Sequence, residues 1–124
     1  MSTKLHDLPS QASLSASVSP QVATSTQNGS SVDLLAADGS GFALLFTGTV
    51  AGGTTVGGKV QESADASTWS DIAGATFTST TTSNATQAIP FQRTLRYVRC
   101  VVTLSGGSPS AGICAAVGMQ KKMA

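Results

Sequence analysis

Side chains able to do acid–base, nucleophilic or metal chemistry are sparse in this 124-residue chain. The single histidine, His6, lies in a polar N-terminal stretch that a core would not fix in place. No His, Asp or Glu follows Asp71, so an acid/base pair would have to come from the first 71 residues. Glu62, Asp65 and Asp71 are close enough in sequence to form a carboxylate pair of the kind used in general acid–base work. Their setting, two short strands joined by a polar turn, reads more simply as a solvated hairpin. No His/Cys/Asp cluster has metal-ligand spacing, and no zinc or iron site is expected. Gly53-Thr54-Thr55-Val56-Gly57-Gly58-Lys59 satisfies G-x-x-x-x-G-K, but Val60 stands where a phosphate-binding loop needs a hydroxyl for magnesium. The residues that follow read as a strand, so no helix N-terminus is at hand for a phosphate. The expectation is no enzyme, no cofactor and no small-molecule substrate.

Cys100 and Cys114 are the only cysteines. If Leu95 to Leu104 and Ala111 to Met119 pair as a hairpin with Leu104 opposite Ala111, then Val98, Cys100 and Val102 share a face with Ile113, Ala115 and Val117. Cys114 then points to the opposite face, and two free thiols are expected rather than a disulfide. Asn28-Gly29-Ser30 and Asn84-Ala85-Thr86 match the glycosylation triplet but read as turns.

The elements that must position these residues are strands. Phe42 to Val50 alternates, and the larger side chains Phe42, Leu44, Phe46 and Val50 are expected to face the core. Ser31 to Ala36, Lys59 to Ser63 and Trp69 to Ile72 read as further strands, with Ala64 to Thr68 as a hairpin connection. Thr86 to Phe91 contains Pro90, which cannot donate to a ladder, so it belongs at a sheet edge. No stretch has helical spacing with caps. The expected core is Phe42, Leu44, Phe46, Val60, Trp69, Ile72, Phe77, Ile89, Val98, Cys100, Val102, Ile113 and Val117. The fold class is all-β: a single antiparallel β-sandwich of about seven to nine strands, jelly-roll-like, with an extended N-terminal arm. The division is an arm over 1–28 and a sandwich domain over 29–124. The arm has Leu5, Leu8, Leu14, Val18 and Val22 as its sizeable apolar residues, and these are candidate partner-binding positions.

Composition limits the partners. Only 10% of residues are charged, against roughly 25% in an average soluble domain. The chain holds 18 Ser and 16 Thr. The formal charge of +1 does not support a protein built to bind nucleic acid. No apolar run reaches the roughly 20 residues of a membrane helix, and no membrane role is expected. Charge is divided unevenly, −4 over residues 29–71 and +5 over 72–124. Arg93, Arg96 and Arg99 are therefore candidates for docking on an acidic partner. Cancellation across adjacent strands of one sandwich explains the division equally well.

Gly58-Lys59-Val60-Gln61-Glu62-Ser63-Ala64-Asp65-Ala66-Ser67-Thr68-Trp69-Ser70-Asp71-Ile72 is similar to a recurring phage phrase with an acidic turn before a Thr-Trp pair. Gly74-Ala75, Gln87-Ala88-Ile89-Pro90-Phe91 and Leu95-Arg96-Tyr97-Val98-Arg99 follow in the same order. Together they resemble small structural proteins of tailed bacteriophages, in particular auxiliary head proteins that decorate or cement the capsid. Ala66 stands where that pattern usually has Gly. The resemblance spans roughly residues 31 to 119. It implies a virion protein on the capsid surface, assembled in the host cytoplasm. Its partners would be the major capsid protein of a phage shell and other copies of itself. A neck or tail structural protein and a carbohydrate-binding β-sandwich using Trp69, Tyr97 and the arginines are the alternatives.

Overall fold

The computed structural model describes residues 12–34 and 37–121, and among them there are nine strands and no helix. They are β1 (Ala12–Ala23), β2 (Gln27–Asn28), β3 (Val32–Asp33), β4 (Ala37–Val50), β5 (Thr55–Ser63), β6 (Ser70–Thr80), β7 (Thr86–Gln92), β8 (Tyr97–Ser105) and β9 (Ala111–Lys121). Sheet A has the order β1-β9-β4-β7, and sheet B the order β2-β8-β5-β6 with β3 also on β8. All pairings are antiparallel.

Counted as one interrupted strand, β2 and β3 complete a nested set of pairs. The first strand meets the last (β1 with β9), the second meets β8, the third meets β7, and β5 and β6 form the central hairpin. A long folded-over ribbon of this kind, rolled so that β9 meets β4 and β8 meets β5, is a jelly roll. The all-β sandwich expected from the alternation is the fold observed. Pro90 sits in β7, an edge strand of sheet A, where its missing N–H costs no ladder bond.

The core lies between the sheets and is built from Val56, Val60, Val98, Cys100 and Val102 on sheet B against Leu45, Ile113, Ala115, Val117 and Met119 on sheet A. Three expectations need correction. First, β8 and β9 do not pair; they lie in different sheets, and Ser105 to Ser110 connects the two layers. Alternation put the right residues inward on both strands, but inward-facing rows can meet across a core as well as side by side. Second, β4 is turned over. Ala43 and Leu45 are fully buried, while Phe42 and Phe46 are 39% and 40% exposed. The cause is visible in the register: β9 sends Val117, Ile113 and Met119 inward, and these lie beside Ala43, Thr47 and Gly41, small neighbours that leave room for them. On the outer face the sizes reverse, with Phe42, Leu44 and Phe46 beside Gly118, Ala116 and Cys114. Third, Trp69 is not a core plug. It is half-buried on the outside of sheet B under the Arg99 guanidinium, 4.5 Å from the ring centroid.

β1 and β2 take up most of the described part of the stretch expected as an arm. Ser17, at a bulge in β1, stands in for a missing ladder partner between β2 and β3. Its hydroxyl accepts from the Cys100 N–H at 2.9 Å and donates to the Ser30 carbonyl at 2.9 Å. Gly29 passes so close that a Cβ there would collide with this hydroxyl. On the other side of the sandwich, the Gln87 amide donates to the Thr78 carbonyl at 2.7 Å and accepts from its N–H at 2.9 Å. One glutamine thereby occupies both backbone groups of Thr78 on edge strand β6.

Candidate functional site

The carboxylates available for chemistry are each held in a separate internal role. Asp65 caps the β5–β6 turn, accepting from Ser67 N–H at 2.9 Å and Thr68 N–H at 3.0 Å. Those two backbone bonds, with one donated by the Ser63 hydroxyl, hold its carboxyl below the usual 3.8. Asp71 accepts from Gln61 at 2.8 Å and from Lys59 at 3.2 Å, which lowers it as well. Glu62 accepts from the backbone N–H groups of Thr94 at 2.7 Å and Leu95 at 3.1 Å. Among the described residues no group of His, Cys, Asp and Glu could hold a metal ion. Lys59, the end of the phosphate-loop look-alike, lies inside β5.

The arginines are engaged at home. Arg96 makes a two-point ion pair with Asp33, at 2.9 and 2.7 Å, and lies 5.0 Å from the Tyr97 ring centroid. The Asp33 hydrogen bond raises the Arg96 pKa further. Arg93 donates to the Leu34 and Leu95 carbonyls, fixing the chain around β3 and the approach to β8. Arg99 bonds Gln61 Oε1 at 2.9 Å and covers one face of Trp69. Arg96 on Asp33 joins the basic and acidic halves of the sequence on sheet B, whereas Lys59 on Asp71 is a pair within the acidic half.

Sheet A is different in kind. No Asp, Glu, Lys, Arg or His occurs in residues 12–23, 41–50, 86–92 or 111–120. The charged residues of its strands, Asp38 and Lys121, fall at one end, where Ala37 is opposite Lys121. Its outer face therefore presents apolar side chains with no ionic group among them. Leu14 and Val22 on β1 are 63% and 74% exposed, and Phe42 and Phe46 stand on β4. Ala88 and Pro90 on β7 are also exposed. The Phe42 ring lies on Gly118, where a Cβ would fall within it. At the other end of β4 the trough is open. A groove of about 310 Å³ is bounded by Pro20 and Phe46, with Gly48, Gly112 and Cys114 among its lining.

Of the candidate partner-binding residues, this face brings together Leu14 and Val22. Val18 is 3% exposed within the core and is not available to a partner. Leu5 and Leu8 lie outside the described residues. Sequence reasoning missed Phe42 and Phe46 as surface residues because it sent the larger side chains of β4 inward. The signal that marks them is the lack of charge over residues 12–23, 41–50, 86–92 and 111–120 together with small residues at alternate positions of β9.

Cys100 and Cys114 are both free, one in each sheet. Burial pushes the Cys100 thiol up to about 12, so it is inert at neutral pH. Cys114 is half-buried beside the groove.

No protein-family model matches the chain, and no curated protein matches it by sequence. Among solved structures it is similar to the SPBc2 prophage-derived protein YomS, with a TM-score of 0.52 at 11% identity over 86% of this chain and 94% of that one. At that identity the likeness is one of fold. A mutant VP2 protein of infectious bursal disease virus in T=1 particles overlays with a TM-score of 0.49 at 14% identity, over 89% of this chain and 32% of that one. The infectious bursal disease virus Gx strain structure gives 0.46 at 15% identity, over 89% and 32%. Both viral overlays cover about a third of a larger chain.

Proposed function

We propose that this chain is a non-enzymatic structural protein of a phage virion that docks on an assembled shell and stabilises it through contacts with the major capsid protein. The observation that carries the reading is the outer face of sheet A: four strands wide, apolar, uncharged away from one end, and exposing Leu14, Val22, Phe42 and Phe46. Contiguous apolar patches on soluble proteins mark protein contact surfaces. The resemblance of the Gly58 to Arg99 phrases to auxiliary head proteins supports the phage setting, and a rigid jelly roll with its open sides stitched by Ser17 and Gln87 suits a part that holds its shape in an assembly. A ligand that binds the assembled state alone stabilises it by mass action, about 2.7 kcal/mol per site at a hundredfold excess over the dissociation constant. A carbohydrate platform on sheet B gains nothing from the geometry, because Arg99 covers one face of Trp69 and Arg96 lies over Tyr97.

The test is co-sedimentation of the purified chain with assembled capsids of the virus that encodes it, and separately with the dissociated shell protein. Saturation at a fixed ratio on assembled capsids, with little binding to free subunits, is the expected result. Absence of binding to capsids, or equal binding to free subunits, would overturn the reading.

A further inference from the structure

We infer that the outer face of sheet A is occupied by a second copy of this chain, packed face to face about a two-fold axis that passes close to Phe46. The inference rests on the same face as the proposed function and specifies what covers it in the free protein, before a shell subunit takes the copy's place.

Three features point to a copy rather than to an unlike partner. The first is charge. An isologous contact sets each residue against the same surface patch, so any ionic group near the axis meets its own like charge. The four strands of sheet A carry none over residues 41–50, 86–92, 111–120 and 12–23, whereas sheet B carries Lys59, Asp71, Arg99 and the Arg96–Asp33 pair. Only sheet A can be superposed on itself without that penalty.

The second is shape. A two-fold contact needs knob and hole on the same surface, close together. Phe46 projects from β4, and the groove with Gly48 and Gly112 on its floor and Pro20 on its far wall lies directly beside it. A Cβ on Gly48 would be 3.8 Å from the Gly112 Cα, so two glycines on neighbouring strands leave the backbone bare. The other aromatic, Phe42, already fills its own trough over Gly118. The two rings are equally exposed, and Phe46 is the one that borders the open groove, placed to enter the groove of a copy.

The third is area. Four strands spaced about 4.8 Å, each presenting about eight residues at about 3.3 Å, give a face of roughly 500 Å². Two such faces remove about 1,000 Å² from water, the lower bound for a specific interface. The dimer is thus expected to be reversible and dependent on concentration.

Sedimentation velocity across a wide concentration range, with maleimide labelling of Cys114 alongside, tests this. Expected is a monomer–dimer equilibrium in which Cys114 labelling slows as the dimer forms, while Cys100 stays unreactive. Phe46→Asp should raise the dissociation constant at least about tenfold, the loss expected for a central aromatic anchor. Val22→Asp, at a side chain 74% exposed on the same face, is the second variant and should weaken the dimer while leaving the fold intact. Thr76→Asp on sheet B should leave the equilibrium unchanged. A chain that is monomeric at every concentration, or a dimer untouched by both sheet A variants, would overturn the inference. A monomer whose Cys114 is protected only on capsids would also overturn it, placing a shell subunit on this face and leaving the proposed function standing. A dimer that ignores capsids would do the reverse.

Discussion

Individual side chains in this protein do backbone work more often than surface work. Ser17 is the sharpest case: its hydroxyl supplies the partner that the Cys100 N–H lacks where β2 gives way to β3. Ser17→Ala leaves that buried N–H unpaired and should cost about 1–3 kcal/mol, read from the urea midpoint. Ala66 holds φ 62 in the β5–β6 turn, a left-handed conformation that costs an L-residue roughly 1–2 kcal/mol. Ala66→Gly should therefore stabilise the chain by up to about 1 kcal/mol after the entropy cost of glycine. The carboxyls of Asp65 and Asp71 are both held below 3.8 in the folded chain, so the unfolded chain binds protons more readily. Their stabilisation is complete above that value and is lost as pH falls through the lowered native values. Acid titration of the melting temperature should show a decline below about pH 4 that is shallower in Asp65→Asn and Asp71→Asn chains.

At the scale of strands, β4 shows what alternation can and cannot decide. Phe42 to Val50 was legible as a strand because its polar and apolar sides repeat every two residues, and both sides are apolar enough to be covered. Which side is covered depends on the neighbour. β9 fills the inward layer with Ile113, Val117 and Met119, and β4 then turns Ala43 and Leu45 in and its phenylalanines out. Leu45→Ala should cost about 2–5 kcal/mol, while Phe46→Ser should cost only about 1–2 kcal/mol because much of the ring is already in water. Equal losses in thermal melts would mean the face assignment is wrong. The same limit explains β8 and β9: the inward rows were readable from Val98, Cys100, Val102, Ile113 and Val117, but partner choice was not, since a row of apolar residues fits a neighbour in its own sheet or one across the core. Pro90 was decisive for the edge position of β7 because its missing N–H is a local property that no packing can supply. The acidic turn was legible for the same reason, with Ser63 and Asp65 satisfying N–H groups two and three residues on.

As a whole the molecule is a jelly roll with unlike faces, one carrying paired charges and one whose strands are charged at one end alone. β1 belongs to this body, which alters what truncation should do. Removing residues 1–11 leaves every described strand in the chain. Removing residues 1–26 strips β1 from β9, deletes Ser17 and should give an aggregating chain by circular dichroism and gel filtration. The bare sheet A face is the feature on which the proposed docking rests. The most direct measurement is the occupancy of assembled capsids by the wild-type chain and by Phe46→Asp at equal concentration, both first shown to be folded. Saturation by the wild type with a large drop for Phe46→Asp is the predicted result, and equal occupancy of the two would contradict the claim that this face is the contact surface.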